Sequence, residues 1–248
     1  SVLEKATGCP ANEKVLEILK NKSLLLGQME HVHQYPHCWR SKTPVVFRAM
    51  DQWFVNLDKN GLRENCFNEV QSVEFTPKWG KNRIEGFLNS RPDWCISRQR
   101  SWGVPIPVFY DEDKNPLLDE KLILALADKV EKMGSEIWFS ESVEKLIEDF
   151  NLPEDWKGKT LEKGMDTLDV WIDSGCSHRA VLRNNSHLEW PADLYLEGSD
   201  QHRGWFQSSL WTSMISFGQA PYKSVLTHGF VVGGDGRKIS KSDGKPQT

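Results

Sequence analysis

A chain of 248 residues, 38% hydrophobic and 27% charged, is long enough to bury one large core or two modest ones. Its formal charge of −4 argues against a generally basic nucleic-acid coat, while leaving room for a local basic groove. No apolar run approaches the roughly eighteen residues of a membrane span, and no charged, then apolar, then small-residue leader opens the chain, so a soluble, cytoplasmic protein with no membrane partner is expected.

Cys9, Cys38, Cys66, Cys95 and Cys176 are odd in number and form no C-x-x-C pair, which indicates neither a disulfide scaffold nor a zinc knuckle. Asn12 to Leu26 opens on a capping residue and carries Val15, Leu16, Ile18 and Leu19 on one helical face. His31, His33 and His37 allow two readings: imidazoles on one strand face holding a metal, or polar residues of an exposed strand satisfied by backbone carbonyls. Pro44 to Arg48 and Gln52 to Val55 read as short strands rich in β-branched and aromatic residues. Lys78 to Leu88 carries Arg83, Ile84, Phe87 and Leu88 at helical spacing, and Arg91-Pro92 should end that helix.

Trp94 to Pro107 sets Trp94 and Trp102 with arginines among prolines and a glycine. Either the arginines grip a phosphate backbone or a nucleotide, or they bridge carboxylates beneath a tryptophan core. Asp111 to Phe150 is acidic, lysine-rich and largely helical, with one stripe of Leu122, Leu124, Ala125, Leu126 and Val130 and another of Val143, Leu146 and Ile147. It reads as a peripheral insertion whose charges form a solvated face. Leu168-Asp169-Val170 alternates and Asp173-Ser174-Gly175 follows, so Trp171 is expected at the end of a strand.

The last sixty or so residues organise the rest. Leu194, Leu196 and the apolar residues from Val225 to Val232 suit buried parallel strands, and Trp205 to Phe217 suits the crossover helix between them. Such a unit places its strand-end loops in one crevice, where ligands of open α/β sheets sit. The first loop offers Glu197, Asp200, Gln201 and His202 beside Gly198. Its carboxylates can accept from sugar hydroxyls or an ammonium group, or Ser199 or Asp200 simply caps the following helix. The second loop, Gly233 to Ser242, combines three glycines with Arg237, Lys238 and Lys241. That composition suits a mobile phosphate clamp or a solvated basic turn, and it lacks the spacing of a Walker loop.

Lys238-Ile239-Ser240-Lys241-Ser242 resembles the KMSKS signature of class I aminoacyl-tRNA synthetases, with isoleucine replacing methionine. Glu197 to Trp205, Trp94 to Pro107 and Asp166 to Gly175 are similar, in family order, to the isoleucyl branch, and the register extends back to Tyr35-Pro36-His37-Cys38-Trp39-Arg40. The resemblance implies an α/β chain: the second half of a Rossmann-like nucleotide-binding fold, plus a connective α/β lobe with a helical insertion. Residues 1–42 would be the tail of an inserted editing domain, 43–190 the connective lobe with its insertion near 111–155, and 191–248 the catalytic half-domain.

The same resemblance implies activation of isoleucine by ATP, with Mg2+ accompanying the nucleotide, and transfer to tRNA(Ile) by an enzyme that is monomeric at full length. Lys238 and Lys241 would hold the triphosphate. Glu197, Gly198, Asp200 and Gln201 would contact the aminoacyl-adenylate, His228 and Gly229 would lie against adenosine, and Trp171 and Trp205 would wall the side-chain pocket. No His-x-Gly-His segment occurs, and the threonine-rich editing segment is not found, so the chain is expected to be a fragment that neither activates nor edits alone. Ser41 stands where some relatives carry a zinc-binding cysteine, so no metal site is expected, and Asp243-Gly244-Lys245 departs from the x-Gly-Asn that usually follows the lysine loop. Two other readings stay open: a non-catalytic module derived from a synthetase, which binds tRNA or a partner, and another nucleotidyl-transferring α/β enzyme with a similar loop.

Overall fold

The computed structural model describes residues 10–38, 41–234, 236 and 239. The chain divides into two compact units, Ser1–Met50 and Asp51–Thr248.

In the first unit, α1 (Pro10–Asn21) begins at a proline, which suits a first turn whose amides have no helical partner, so Asn12 lies inside the helix instead of capping it. The helix stops at Asn21, short of the expected Leu26, because Ser23 adopts a left-handed φ of 54° while Leu24 N–H donates back to the Leu19 carbonyl at 2.9 Å. Leu16 and Leu19 are half-buried, whereas Val15 and Ile18 are exposed. The histidines follow the backbone-satisfied reading in part: His33 Nδ1 donates to the Gln34 carbonyl at 3.0 Å and His37 Nδ1 to the Tyr35 carbonyl at 2.8 Å. Among the described residues no three acidic, histidine or cysteine side chains are arranged to hold a metal. Of the strand expected over Pro44 to Arg48, only Pro44 pairs, in a single antiparallel bridge to His37.

The second unit opens with β1 (Phe54–Val55), α2 (Leu62–Ser72), β2 (Glu74–Thr76) and α3 (Trp79–Ser90). The end of α3 falls where Pro92 requires it, with Arg91 turned to an extended ψ of 124°. Next come β3 (Trp94–Cys95), paired antiparallel with β1, and β4 (Ser97–Arg98). Then β5 (Phe109–Tyr110), β6 (Pro116–Leu117), α4 (Glu120–Met133), α5 (Ile137–Ser140), α6 (Val143–Leu146) and β7 (Glu162–Lys163) form a lobe with an antiparallel sheet in the order β6-β5-β7. It has its own core of Phe109, Leu117, Leu122, Leu126, Trp138 and neighbours. Leu122 and Leu126 point into that core, but Leu124 is 58% exposed, so the stripe read from the sequence is narrower than expected.

β8 (Thr167–Leu168) pairs antiparallel with β4, and α7 (Val170–Gly175) follows at once. Trp171 therefore stands in a helix and not at a strand end. The reason is Asp169, whose side chain accepts the Trp171 amide at 3.3 Å and turns the chain into a helical first turn.

β9 (Tyr195–Gly198), α8 (Trp205–Phe217) and β10 (Ser224–His228) form the parallel crossover unit with the helix bounds expected. Gly218, at φ +67°, ends α8 by donating to the Met214 carbonyl at 3.0 Å. The sheet runs in the order β2-β10-β9, all parallel. Val225 of β10 is buried as expected, but the inward residue of β9 is not the expected one: Tyr195 is 4% exposed, while Leu194 and Leu196 are 49% and 52% exposed. Strand alternation admits only one of the two sets to the core, and the aromatic set wins by packing Tyr195 with Tyr222, Phe206 and Val225. Val231 and Val232, beyond the end of β10, are exposed as well.

Candidate functional site

The C-terminal ends of β9 and β10 lie side by side, with Thr227 opposite Glu197 and His228 opposite Gly198. His228 Nε2 is 3.8 Å from Glu197 Oε2, and both side chains are about half exposed, at 51% and 50%. Glu197 also accepts the Gly198 amide at 2.9 Å. Gly198 is buried, and a Cβ there would stand 2.9 Å from Asp200 Oδ1 and 3.7 Å from His228. A side chain there would have to displace the exposed Asp200 carboxylate from above the strand end. Glu197, Gly198, Asp200 and His228 converge as expected, whereas Gly229 stands in open space.

The turn is fixed from beneath by His202, which is fully buried. Its Nδ1 donates to the Ser199 carbonyl at 3.0 Å, leaving Nε2 to accept from the Thr227 hydroxyl at 3.5 Å. Burial pushes its pKa down, the Ser199 carbonyl opposes that shift and Arg83 adds to it, so the ring is the neutral form this geometry needs. A Cβ on Gly80 would be 3.1 Å from His202 Nε2, so α3 also presses on the imidazole.

Gln201 takes the role expected of Ser199 or Asp200: its side-chain oxygen accepts the Trp205 amide at 2.9 Å and so caps α8. Its amide donors and the second lone pair of its oxygen remain for a ligand. Trp205 stacks on Tyr195 with ring centres 4.1 Å apart, and its Nε1 donates to the Ser174 carbonyl at 2.9 Å and the Ser177 hydroxyl at 3.1 Å. Trp171, 39% exposed, reaches the same place from α7. Gly204 is the meeting point, since a Cβ there would lie 2.9 Å from the Trp171 ring and 2.5 Å from Gln201 Oε1. The Trp171 indole, the Gln201 amide and the acidic turn are thereby gathered at the start of α8, whose first residue is Trp205. Gly204 and Asp169 are the residues that sequence reasoning missed, although an Asp directly before an apolar run is itself a helix-start signal.

The Trp94 to Pro107 stretch divides between its two readings. Trp94 is 3% exposed and Arg98 pairs with the buried Asp169 at 3.0 Å, as the core reading requires. Trp102, 91% exposed beside exposed Arg100, keeps the surface reading. Lys238 and Lys241 lie outside the described residues. A cavity of ≈ 480 Å³ opens elsewhere, lined in part by Trp53, Tyr110, Lys114, Lys163 and Asp166. Its lysines are already engaged, Lys114 with Glu162, and Lys163 with the carbonyls of Trp138 and Glu141 at 2.7 and 2.6 Å. It holds none of the groups that converge at the strand ends.

The sequence profile of tRNA synthetases class I (I, L, M and V) matches residues 11–247. The chain is 52% identical over 236 residues to the isoleucine–tRNA ligase of Methylococcus capsulatus, covering 94% of this chain and 24% of that protein. It is 51% identical over 245 residues to that of Methylacidiphilum infernorum, covering 98% and 26%. Among solved structures, the methionyl-tRNA synthetase of Mycobacterium tuberculosis bound by methionyl-adenylate aligns with a TM-score of 0.48 and 18% identity, over 82% of this chain and 30% of that one. The chain thus spans about a quarter of the length of the curated relatives it matches. A profile match over nearly its whole length places the chain, with its parallel α/β unit, in the class I tRNA synthetases of the isoleucine, leucine, methionine and valine group.

Proposed function

We propose that this chain supplies part of the catalytic body of a cytoplasmic isoleucine–tRNA ligase, monomeric at full length, that activates isoleucine with ATP and transfers it to tRNA(Ile). The carrying observation is the convergence of Glu197, Gly198, Asp200 and His228 at adjacent parallel strand ends, with the Trp171 ring and the Gln201 amide meeting at Gly204 just beyond the turn. Relatives about half identical to the chain carry that activity in their names.

In this reading Glu197 accepts from the adenylate, and the Gln201 amide group, whose oxygen is oriented by the α8 amide it accepts, donates to it. His228 and Gly229 lie along the adenosine, where absence of a side chain on Gly229 leaves the backbone open to close approach. Trp171 and Trp205 offer an apolar slot for a branched aliphatic side chain. Lys238 and Lys241 carry the charge of the triphosphate, with Mg2+ bound to the nucleotide itself.

The test is isoleucine-dependent ATP–pyrophosphate exchange by the reading frame expressed at full length. Wild type should exchange with isoleucine, and Glu197→Gln should lower kcat/KM about 10- to 100-fold through loss of a charged hydrogen-bond acceptor. Exchange that is indifferent to isoleucine, or to Glu197→Gln, would overturn the reading.

A further inference from the structure

The place of the Trp171 ring is decided by side chains that the proposed chemistry does not touch. Asp169, the residue before α7, has a side chain only 6% exposed. Its Oδ1 accepts the Trp171 amide at 3.3 Å, and its Oδ2 accepts Trp94 Nε1–H at 3.0 Å and Arg98 Nη2–H at 3.0 Å. The backbone repeats the tie, because Asp169 N–H donates to the Ile96 carbonyl at 2.7 Å and the Asp169 carbonyl accepts from Ile172 N–H at 2.8 Å. One carboxylate thus joins β3, β4 and the first turn of α7.

A carboxylate this buried is tolerated only when its charge is matched and its lone pairs are filled. Each group that fills them here belongs to a different element. Arg98 is itself held, its Nη1 donating to the carbonyls of Cys95 at 2.9 Å and Ser97 at 2.7 Å, so the cation is a fixed anchor. α7 has six residues, too few to persist as a helix without its cap and its packing. Its far end is docked onto α8, where a Cβ on Gly175 would be 3.0 Å from the Ser208 carbonyl oxygen and the Thr212 hydroxyl donates to the Gly175 carbonyl at 2.8 Å. Its near end has Asp169. The ring it carries meets Gly204 at its tip, so the indole is held at base and tip.

We infer that Asp169 is a positioning residue for the amino-acid side-chain pocket, setting the Trp171 wall through its contacts to Trp94 and Arg98. This rests on the isoleucine-ligase reading, and Asp169 itself touches no reacting atom. A wall that drifts weakens contacts made equally in the ground and transition states. The expected signature is therefore a raised KM for isoleucine with kcat and the KM for ATP little changed.

Isoleucine-dependent ATP–pyrophosphate exchange is compared for the full-length wild type, Asp169→Asn and Arg98→Met, with thermal unfolding followed in parallel. Asp169→Asn should raise the isoleucine KM about tenfold, with kcat and the ATP KM within about twofold. Arg98→Met, which leaves the cap in place and removes the matching charge, should move the isoleucine KM the same way by about threefold. An unchanged isoleucine KM in folded Asp169→Asn overturns the inference. So does a fall in kcat that merely tracks the lost folded fraction. If Asp169→Asn does not fold, Arg98→Met decides by the same readout, a shifted isoleucine KM supporting the role and an unshifted one removing it. Failure of the functional reading looks different, because wild type itself then shows no dependence on isoleucine and the positioning role falls with it.

Discussion

The core around Trp138 and the core around α8 use the same materials, tryptophans and aliphatic side chains between short strands and helices, yet they leave their polar groups in different states. Around Trp138 the polar groups close on one another. Its indole N–H donates to the Gly164 carbonyl at 2.8 Å, Asp119 caps α4 through the Leu122 amide at 2.9 Å, and buried Asp111 accepts from the amides of Asp113 and Asn115 and from Lys159. Around α8, His178 Nδ1, Gln207 Nε2 and Trp211 Nε1 are buried without a hydrogen-bond partner among the described residues. The first pattern is that of a self-contained lobe. The second leaves buried polar groups along α8 without partners, a departure from local rules that the lobe does not share.

The largest effect that can break this comparison comes from Trp138→Ala. Removing a fully buried indole should cost about 3–5 kcal/mol of lobe stability, read from urea unfolding. If the lobe is self-contained, amide exchange should speed up over residues 109–163 while α8 keeps its protection. Equal loss of protection in α8 would show that the two cores fold as one.

Acid should separate the cores in the next rank. His178 is buried, and burial first, then Arg183 and Arg179, lowers its pKa from 6.5 to about 4. Thr212 donates its hydroxyl to the Gly175 carbonyl, so His178 Nε2 donates to Thr212 and the unpartnered Nδ1 stays deprotonated. Because the folded pKa lies below the unfolded one, the unfolded chain binds the extra proton first. The contribution is present above about pH 6.5 and is lost as pH falls through about 4, on the order of 3 kcal/mol in all. Asp111 has the same sign in a lower window, since its hydrogen bonds with Lys159 and then Asn115 hold it down from 3.8 to about 2. Denaturation followed against pH should therefore loosen α8 before the Trp138 lobe, and His178→Phe should flatten the upper part of the profile. A lobe that loosens first would reverse the comparison.

The smallest expected effect sharpens it. Leu124 lies on α4 within the lobe but outside its core, so Leu124→Lys should change stability by no more than about 0.5 kcal/mol in the same urea titration. A loss of several times that would mean the lobe buries this face as well.

Much of the fold was legible where local chemistry acts alone. α8 was readable from its apolar length, and the end of α3 from the proline that forbids continuation. The candidate site was half legible. Glu197 and Asp200 stood out as polar residues at a strand end and His228 through the family resemblance, and the structure brings them together. Trp171 was placed on the wrong element, because an aspartate that alternates with apolar neighbours in a strand and one that caps a helix look alike until the Trp94 and Arg98 partners are known.

What the sequence by itself determined is therefore the bounds of α8, the end of α3 and the residue types available at the strand ends, since propensity and proline act over a few positions. Only the tertiary structure decided which alternate face of β9 is buried, that Gln201 and not Ser199 or Asp200 caps α8, and that Trp171 meets Gly204. Those outcomes depend on contacts between residues distant in the chain. Each pits two locally acceptable arrangements against each other, and the one that fills space and satisfies buried polar groups prevails.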